Sequence, residues 1–372
     1  MTGRPYRVLS LDGGGIRGLY TATLLQQLAV RAARFHRLGF EERLDVGAQF
    51  DLIVGTSTGS ILATALAAGV TLEDVLKLYR NEAAKIFRQP MPLQGGCKFD
   101  KFKALVWALR NTFRPANAPY ALRYALQRVL KEETLGELYE RRKVALCVPS
   151  VNAETKCAWV FKTPHAQRLT RDNHYRLVDV CLASSAAPIY FPMHRVESPN
   201  SGSRAVHTFV DGGLWANDPV LVALVEALEV AAPDQPIEIL SIGTCPGVNS
   251  QVLGEKDATR GVIGWTGGID IVGMSLEAQA SVTHYLAQKL AGAMGGRITL
   301  HRLAEPPVSP KESKHLALDA ADKKSLDVLE MLGHRAADIN MSALTNSPSP
   351  TSGQVMTLAM FSGLKQLEGE EE

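Results

Sequence analysis

Gly55-Thr56-Ser57-Thr58-Gly59 lies between an apolar run, Phe50 to Val54, and a small-residue helical stretch that continues to about Ala68. In that setting Gly-x-Ser-x-Gly has the spacing of a nucleophile elbow, a strained turn that lifts the hydroxyl clear of the backbone. The competing use of such a serine is to cap the helix that follows. A serine hydroxyl is a weak nucleophile at neutral pH, so acyl transfer also requires a base and donors for the oxyanion. Asp12-Gly13-Gly14-Gly15-Ile16-Arg17-Gly18 offers the donors, because glycines at a helix N-terminus leave their amides open to a substrate oxygen. Arg17 stands next to them, where a phosphate could be met.

The base is less legible. None of the nine histidines stands in a motif, although Ser57, Asp211 and either His284 or His301 satisfy the Ser, Asp, His order of α/β hydrolases. Asp211 follows a short strand, His207 to Val210, and precedes Gly212 and Gly213, the kind of strand end where open α/β sheets bind their ligands. Gly13, Gly15 and Gly18 also satisfy the dinucleotide fingerprint. That reading requires a strand ending in an acidic residue about 20 positions on. Here the interval stays helical through Arg34, and Glu41 and Glu42 follow no strand.

These residues need a scaffold, and hydrophobic periodicity supplies one. Tyr6 to Leu11, the run ending at Val54, Lys143 to Val151, Cys157 to Lys162, His207 to Val210 and Ile237 to Ile242 read as strands. Helical patterns begin after Gly18, after Thr71, at Arg176 and at Val220. This alternation predicts an α/β fold, a mostly parallel central sheet covered by helices on both faces. The Pro- and Gly-rich stretch from Gln89, with an amphipathic helix over Asp100 to Asn111, reads as an insertion ending near Phe113. Beyond Cys245 come a glycine-rich loop, Gly261 to Gly273, and a helix with an inward stripe of Leu276, Ala280, Thr283, Ala287 and Leu290. A further strand at Arg297 to Leu303 and a helix at Lys323 to Ile339 are predicted to pack on the body, before an acidic tail at Glu368 to Glu372.

With Asp211-Gly212-Gly213-Leu214-Trp215-Ala216-Asn217-Asp218-Pro219, the two glycine motifs resemble, in order and spacing, those of the patatin-like phospholipases. Ala183 to Pro192 and Leu240 to Thr244 also look like that family, so the likeness runs from Tyr6 to Thr244. The resemblance implies a three-layer patatin-like core over residues 6–245, with 246–372 as an extension packed on it. It further implies a dyad in place of a triad: Ser57 as nucleophile, Asp211 as its direct base, and the amides of Gly13, Gly14 and Gly15 as oxyanion hole. Arg17, Gly18, Gly55, Gly59, Gly212 and Gly213 would support these motifs, and neither metal nor cofactor is implied. Ser60 stands where many members carry glycine, and Asp218 where asparagine is common. The motifs look closest to bacterial cytoplasmic members, several of which resemble antiphage effectors that a cyclic dinucleotide of the cyclic GMP-AMP type switches on to degrade phospholipids. No cyclic-dinucleotide motif can be read from the chain.

Composition sets the outer bounds. The 372 residues carry 40 Lys+Arg against 38 Asp+Glu, a formal charge of +2, and 46% are hydrophobic, which excludes disorder and gives no field to attract a nucleic acid. Five cysteines form no CxxC pair, which fits a reducing cytoplasm. No apolar run approaches the roughly 18 residues of a membrane span. Contact with a phospholipid membrane is therefore expected to be peripheral, at the inner face, with Trp107, Phe113 and Trp265 as candidates to lean into lipid and the insertion or glycine-rich loop as candidate lids. A homo-oligomer is compatible with the sequence. The competing functions are a non-catalytic nucleotide or lipid sensor, with Ser57 only a helix cap, and an esterase for a non-phospholipid ester.

Overall fold

The alternating pattern folds as one sheet between two helical layers in a computed structural model that describes residues 3–92, 106–107, 110–111, 113–198, 205–245, 258–259, 261 and 269–367. The strands are β1 (Tyr6–Leu11), β2 (Leu52–Gly55), β3 (Ala145–Asn152), β4 (Cys157–Lys162), β5 (His194–Glu197), β6 (Val206–Asp211), β7 (Ile237–Ile242) and β8 (Ile298–Arg302). Their order is β5-β6-β3-β2-β1-β7-β8, with β4 paired to β3. From β3 to β8 the neighbours are parallel, whereas β4, β5 and β6 join antiparallel. Strand β3 is long enough to pair β2 through its first half and β6 through its second, which brings the end of β6 to the centre of the sheet.

Between the strands run α1 (Gly18–Phe35), α2 (Thr58–Ala68), α3 (Leu72–Ile86), α4 (Tyr120–Leu130), α5 (Leu135–Arg142), α6 (Leu177–Ser184), α7 (Gly213–Ala216) and α8 (Val220–Val230). After β7 come α9 (Ile269–Ala293), α10 (Pro310–Ser313), α11 (Lys323–Asn346) and α12 (Ser352–Met360). Alternation along β1 sends Leu9 and Leu11 to one face and Val8 to the other. The first face is covered by α1, α2, α3, α6 and α11, the second by α8 and α9. Helix α2 is apolar almost all round and buried accordingly. Helix α3 starts where Thr71 accepts a hydrogen bond from the Asp74 amide at 3.1 Å.

The structure revises several sequence expectations. Of the stripe on α9, Thr283 and Ala287 are buried, but Leu290 is 45% exposed and Ala291 is buried in its place. The inward face there continues in steps of four residues, so the three-residue step to Leu290 turns that side chain outward. Helix α11 runs on to Asn346, and α12 and β5, absent from the sequence reading, are both present. Most of the Gln89–Phe113 insertion lies outside the described residues, as do Cys97, Trp265, the body of the glycine-rich loop and the acidic tail. The end of that loop, from Ile269, is already helical.

Residues after 269 share both cores: Leu329, Leu332 and Ala336 of α11 pack in the layer that holds α1, and Ala287, Ala291 and Ile298 pack with α8. Leu329→Ala is expected to cost about 2–5 kcal/mol in a denaturant unfolding curve with one transition. Unchanged unfolding of the core, or a separate early transition, would show that the C-terminal residues are dispensable to it.

Candidate active site

The parallel strands β1 and β2 end level with each other, Leu11 opposite Gly55, so the chain leaves the sheet twice at the same edge. One exit makes the glycine turn and the other the elbow. Asp211 arrives from β6, opposite Ser150 of β3.

Ser57 takes φ 54 and ψ −123, a conformation that costs an L-residue energy and persists only when its surroundings hold it. Three contacts do so. The Ser57 amide donates to Ser184 Oγ at 2.9 Å, Ser184 Oγ donates to the Pro149 carbonyl at 2.7 Å, and Ser60 Oγ donates to the Ser57 carbonyl at 2.6 Å. Gly59 is required because a β-carbon there would run into the carbonyls of Leu11 and Asp12. Ser57 makes no side-chain capping bond to α2, so the capping alternative does not describe it. Its hydroxyl instead donates to Asp211 Oδ2 at 2.8 Å.

Asp211 is 6% exposed, and its other carboxylate oxygen accepts from the Gly213 amide at 2.6 Å. Burial pushes its pKa up to about 6, against the lowering effect of the Gly213 and Ser57 hydrogen bonds. Gly212 gives its amide to the Ser184 carbonyl at 3.1 Å, which draws the Asp211 turn towards the segment that fixes Ser57.

Opposite this pair lies the glycine turn, and here one expectation is corrected. Gly13 cannot serve as an oxyanion donor, since its N–H is spent on the Asn217 carbonyl at 2.9 Å and its own carbonyl accepts from Thr244 Oγ1 at 2.9 Å. The amides of Gly14 and Gly15, at the start of a 3-10 turn, donate to no acceptor among the described residues. Gly15 has φ +58 and sits against the Leu318 carbonyl, which accepts the Ile16 amide at 2.8 Å. Arg17 is partly buried, with Nε 3.4 Å from the Gly14 carbonyl oxygen. Gly18 lets α1 approach Thr58 and Tyr79, and Gly55 packs directly on the Gly59 backbone.

The two histidines that could have completed a triad are engaged elsewhere, His284 Nδ1 with Asp218 at 3.2 Å and His301 Nδ1 with Thr357 at 2.7 Å. Trp107 does not face lipid: it is 7% exposed, and its indole N–H donates to the Gln89 carbonyl at 3.0 Å. Phe113 is 94% exposed. Among the described residues, one group has metal-ligand spacing, Cys147, His165 and Glu226. It lies apart from the dyad, and the Lys162 ammonium already pairs with Glu226 there. Sequence reasoning missed Ser184, Asn217, Leu318 and Gln279, the last of which accepts from the Asn217 amide at 3.1 Å and donates to the Trp215 carbonyl. Only Ser184 and Asn217 lay inside segments already singled out.

A family model described as patatin-like phospholipase matches residues 9–224. A cGAMP-activated phospholipase of Pseudomonas aeruginosa is 34% identical over 341 residues, 91% of this chain and 90% of the relative. A second, from Escherichia coli, is 31% identical over 347 residues, 90% and 89% of the two chains. Patatin-like protein 4 of Arabidopsis thaliana is 25% identical over 362 residues, 90% and 84%. Together with the α/β sheet and its elbow, these matches define a serine hydrolase of acyl esters. The chain belongs to the patatin-like phospholipase family, whose model spans more than half of its length.

A carboxylate that acts as base must be ionised, so with Asp211 in that role its pKa, raised to about 6, sets the low-pH limb of the rate. Hydrolysis of a soluble ester is expected to fall about tenfold per pH unit below that value and to level off above it. A limb near 4 would show that Asp211 is solvated when it acts.

Proposed function

We propose that the chain is a phospholipase that cleaves acyl esters of membrane glycerophospholipids through an acyl-enzyme on Ser57, and that a cyclic dinucleotide of the cyclic GMP-AMP type switches it on in bacterial antiphage defence. The observation that carries the chemistry is the 2.8 Å hydrogen bond from Ser57 Oγ to Asp211, made on a strained elbow next to Gly13, with the Gly14 and Gly15 amides that follow donating to no acceptor among the described residues.

Asp211 takes the proton from Ser57 Oγ as the oxygen attacks the ester carbonyl. The negative charge that develops on the carbonyl oxygen is received by the Gly14 and Gly15 amides, which are fixed before substrate arrives and so need no reorganisation. Collapse expels the lysophospholipid alcohol, which takes the proton from Asp211. A water molecule then gives its proton to Asp211 and attacks the acyl-enzyme, and the fatty acid leaves as the proton returns to Ser57. The raised pKa of Asp211 makes each proton transfer less uphill than an ordinary carboxylate would.

The names of the bacterial relatives support the activator: two proteins that align with about nine-tenths of this chain are called cGAMP-activated. Lipid is reached from the surface in this reading, since no helix among the described residues is long and apolar enough to cross a membrane. Exposed Phe113 is a candidate to touch it.

The test is fatty-acid release from phospholipid liposomes, with and without cyclic GMP-AMP. Wild type should release fatty acid only with the nucleotide, while Ser57→Ala and Asp211→Asn should each fall by about 10³-fold or more. Release without nucleotide would remove the activator from the proposal, and no release in any condition would remove the phospholipid. Because neither half-reaction passes through a cation, EDTA is expected to leave the rate unchanged; strong inhibition would overturn the dyad mechanism.

A further inference from the structure

The glycine turn is flanked by two buried carboxylates. Asp12 immediately precedes Gly13, and Asp218 immediately follows Asn217, whose carbonyl holds the Gly13 amide. Both converge on one cation from outside the family match, Arg302 at the end of β8. Its Nη2 donates to Asp12 Oδ2 at 2.5 Å and its Nη1 lies 3.3 Å from Asp12 Oδ1, 3.2 Å from Asp218 Oδ2 and 2.9 Å from Ser241 Oγ. Asp218 Oδ2 also faces His284 Nδ1 on α9, and Asp218 Oδ1 accepts the Val220 amide at 3.0 Å.

We propose that Arg302 is a positioning residue for catalysis: by clamping Asp12 to Asp218 it fixes the entry of the turn, where the Asn217 carbonyl holds Gly13, and so sets the Gly14 and Gly15 amides that receive the oxyanion. The inference rests on the reading of Ser57, Asp211 and those amides given above. Its physical basis is that two carboxylates buried side by side repel each other unless a counter-charge lies between them. A planar guanidinium presents several donors in fixed directions, so it can hold both carboxylates in one geometry. A lysine ammonium carries the same charge but no fork. Displacement of the turn by a fraction of an ångström would turn its amides away from the position that the oxyanion takes, which is a loss of transition-state stabilisation with little effect on substrate binding.

The clamp also gives the Asp218 carboxylate a role: an amide there would still accept from Val220 but would remove one of the negative charges that hold Arg302.

The experiment uses full-length Arg302→Lys and Arg302→Met, with Ser57→Ala as control, on a soluble short-chain ester under conditions where wild type is active. Active sites are counted by labelling Ser57 with a fluorophosphonate, and melting temperatures are recorded in parallel. The proposal expects kcat per labelled site to fall about 10²-fold in Arg302→Met and about tenfold in Arg302→Lys, with KM within about threefold of wild type. Labelling should slow in step, because the phosphonyl oxygen uses the same amides.

A purely structural arginine would give fewer labelled sites and a lower melting temperature at unchanged kcat per site, and that result overturns the proposal. If Arg302→Met does not fold, Arg302→Lys, which keeps the charge, decides by the same ratio. A Ser57→Ala protein that still hydrolyses the ester would overturn the nucleophile reading instead, and the clamp with it.

Discussion

Everything in the site depends on one carboxylate being kept from water while still touching a hydroxyl. An exposed aspartate titrates near 4 and is a feeble base for serine. Asp211 is buried at the end of β6 with no cation in contact among the described residues, and desolvation raises its pKa. Two donors, the Gly213 amide and the Ser57 hydroxyl, stabilise the charged form and oppose that rise. In the proposed mechanism this balance takes the place of the histidine of a triad. In a triad an acidic residue orients the imidazole; here a backbone amide two residues away orients the Asp211 carboxylate.

The elbow is held by the same economy of means. Ser57 is strained, and the strain is contained by groups from three separate strands and helices: the Ser184 hydroxyl from α6, the Pro149 carbonyl from β3 and the Ser60 hydroxyl from α2. Ser184 matters doubly, because its carbonyl takes the Gly212 amide and so sets the position of Asp211 as well. Ser57 and Asp211, 154 residues apart in sequence, are aligned through one residue of a helix end.

How much of this was legible in the sequence follows from which interactions are local. Ser57 and Asp211 could be read because an elbow needs its glycines in adjacent positions and a strand end shows itself by its apolar run. The parallel sheet was readable because strands buried on both faces become continuous apolar segments, as in Ile237–Ile242. Gly13 was misread because glycine spacing reports where backbone can come close, not which amide is already taken; the Asn217 carbonyl that takes it arrives from more than 200 residues away. Trp107 was misread for a similar reason, since an aromatic in a Pro- and Gly-rich stretch looks the same whether its indole finds a buried carbonyl or faces solvent. Gln279 and Leu318 gave no local signal at all, because their contribution is a contact across the fold.

That last group bears on how such a hydrolase can be kept silent. The nucleophile and base come from segments with recognisable motifs, and the family model ends at residue 224. The oxyanion turn is finished by residues beyond it: the Leu318 carbonyl that holds the Ile16 amide and the Gln279 amide group that holds Asn217 and Trp215. Helix α9 thus touches the loop that carries the dyad base through one face and continues back to the segment beginning at Ile269. A ligand that binds two arrangements of this C-terminal part with unequal affinity would change turnover without contacting Ser57 or Asp211, by exactly its difference in affinity and no more. Ser57 and Asp211 thus lie in the motifs, while contacts that align the turn and the Asp218 loop come from the C-terminal part.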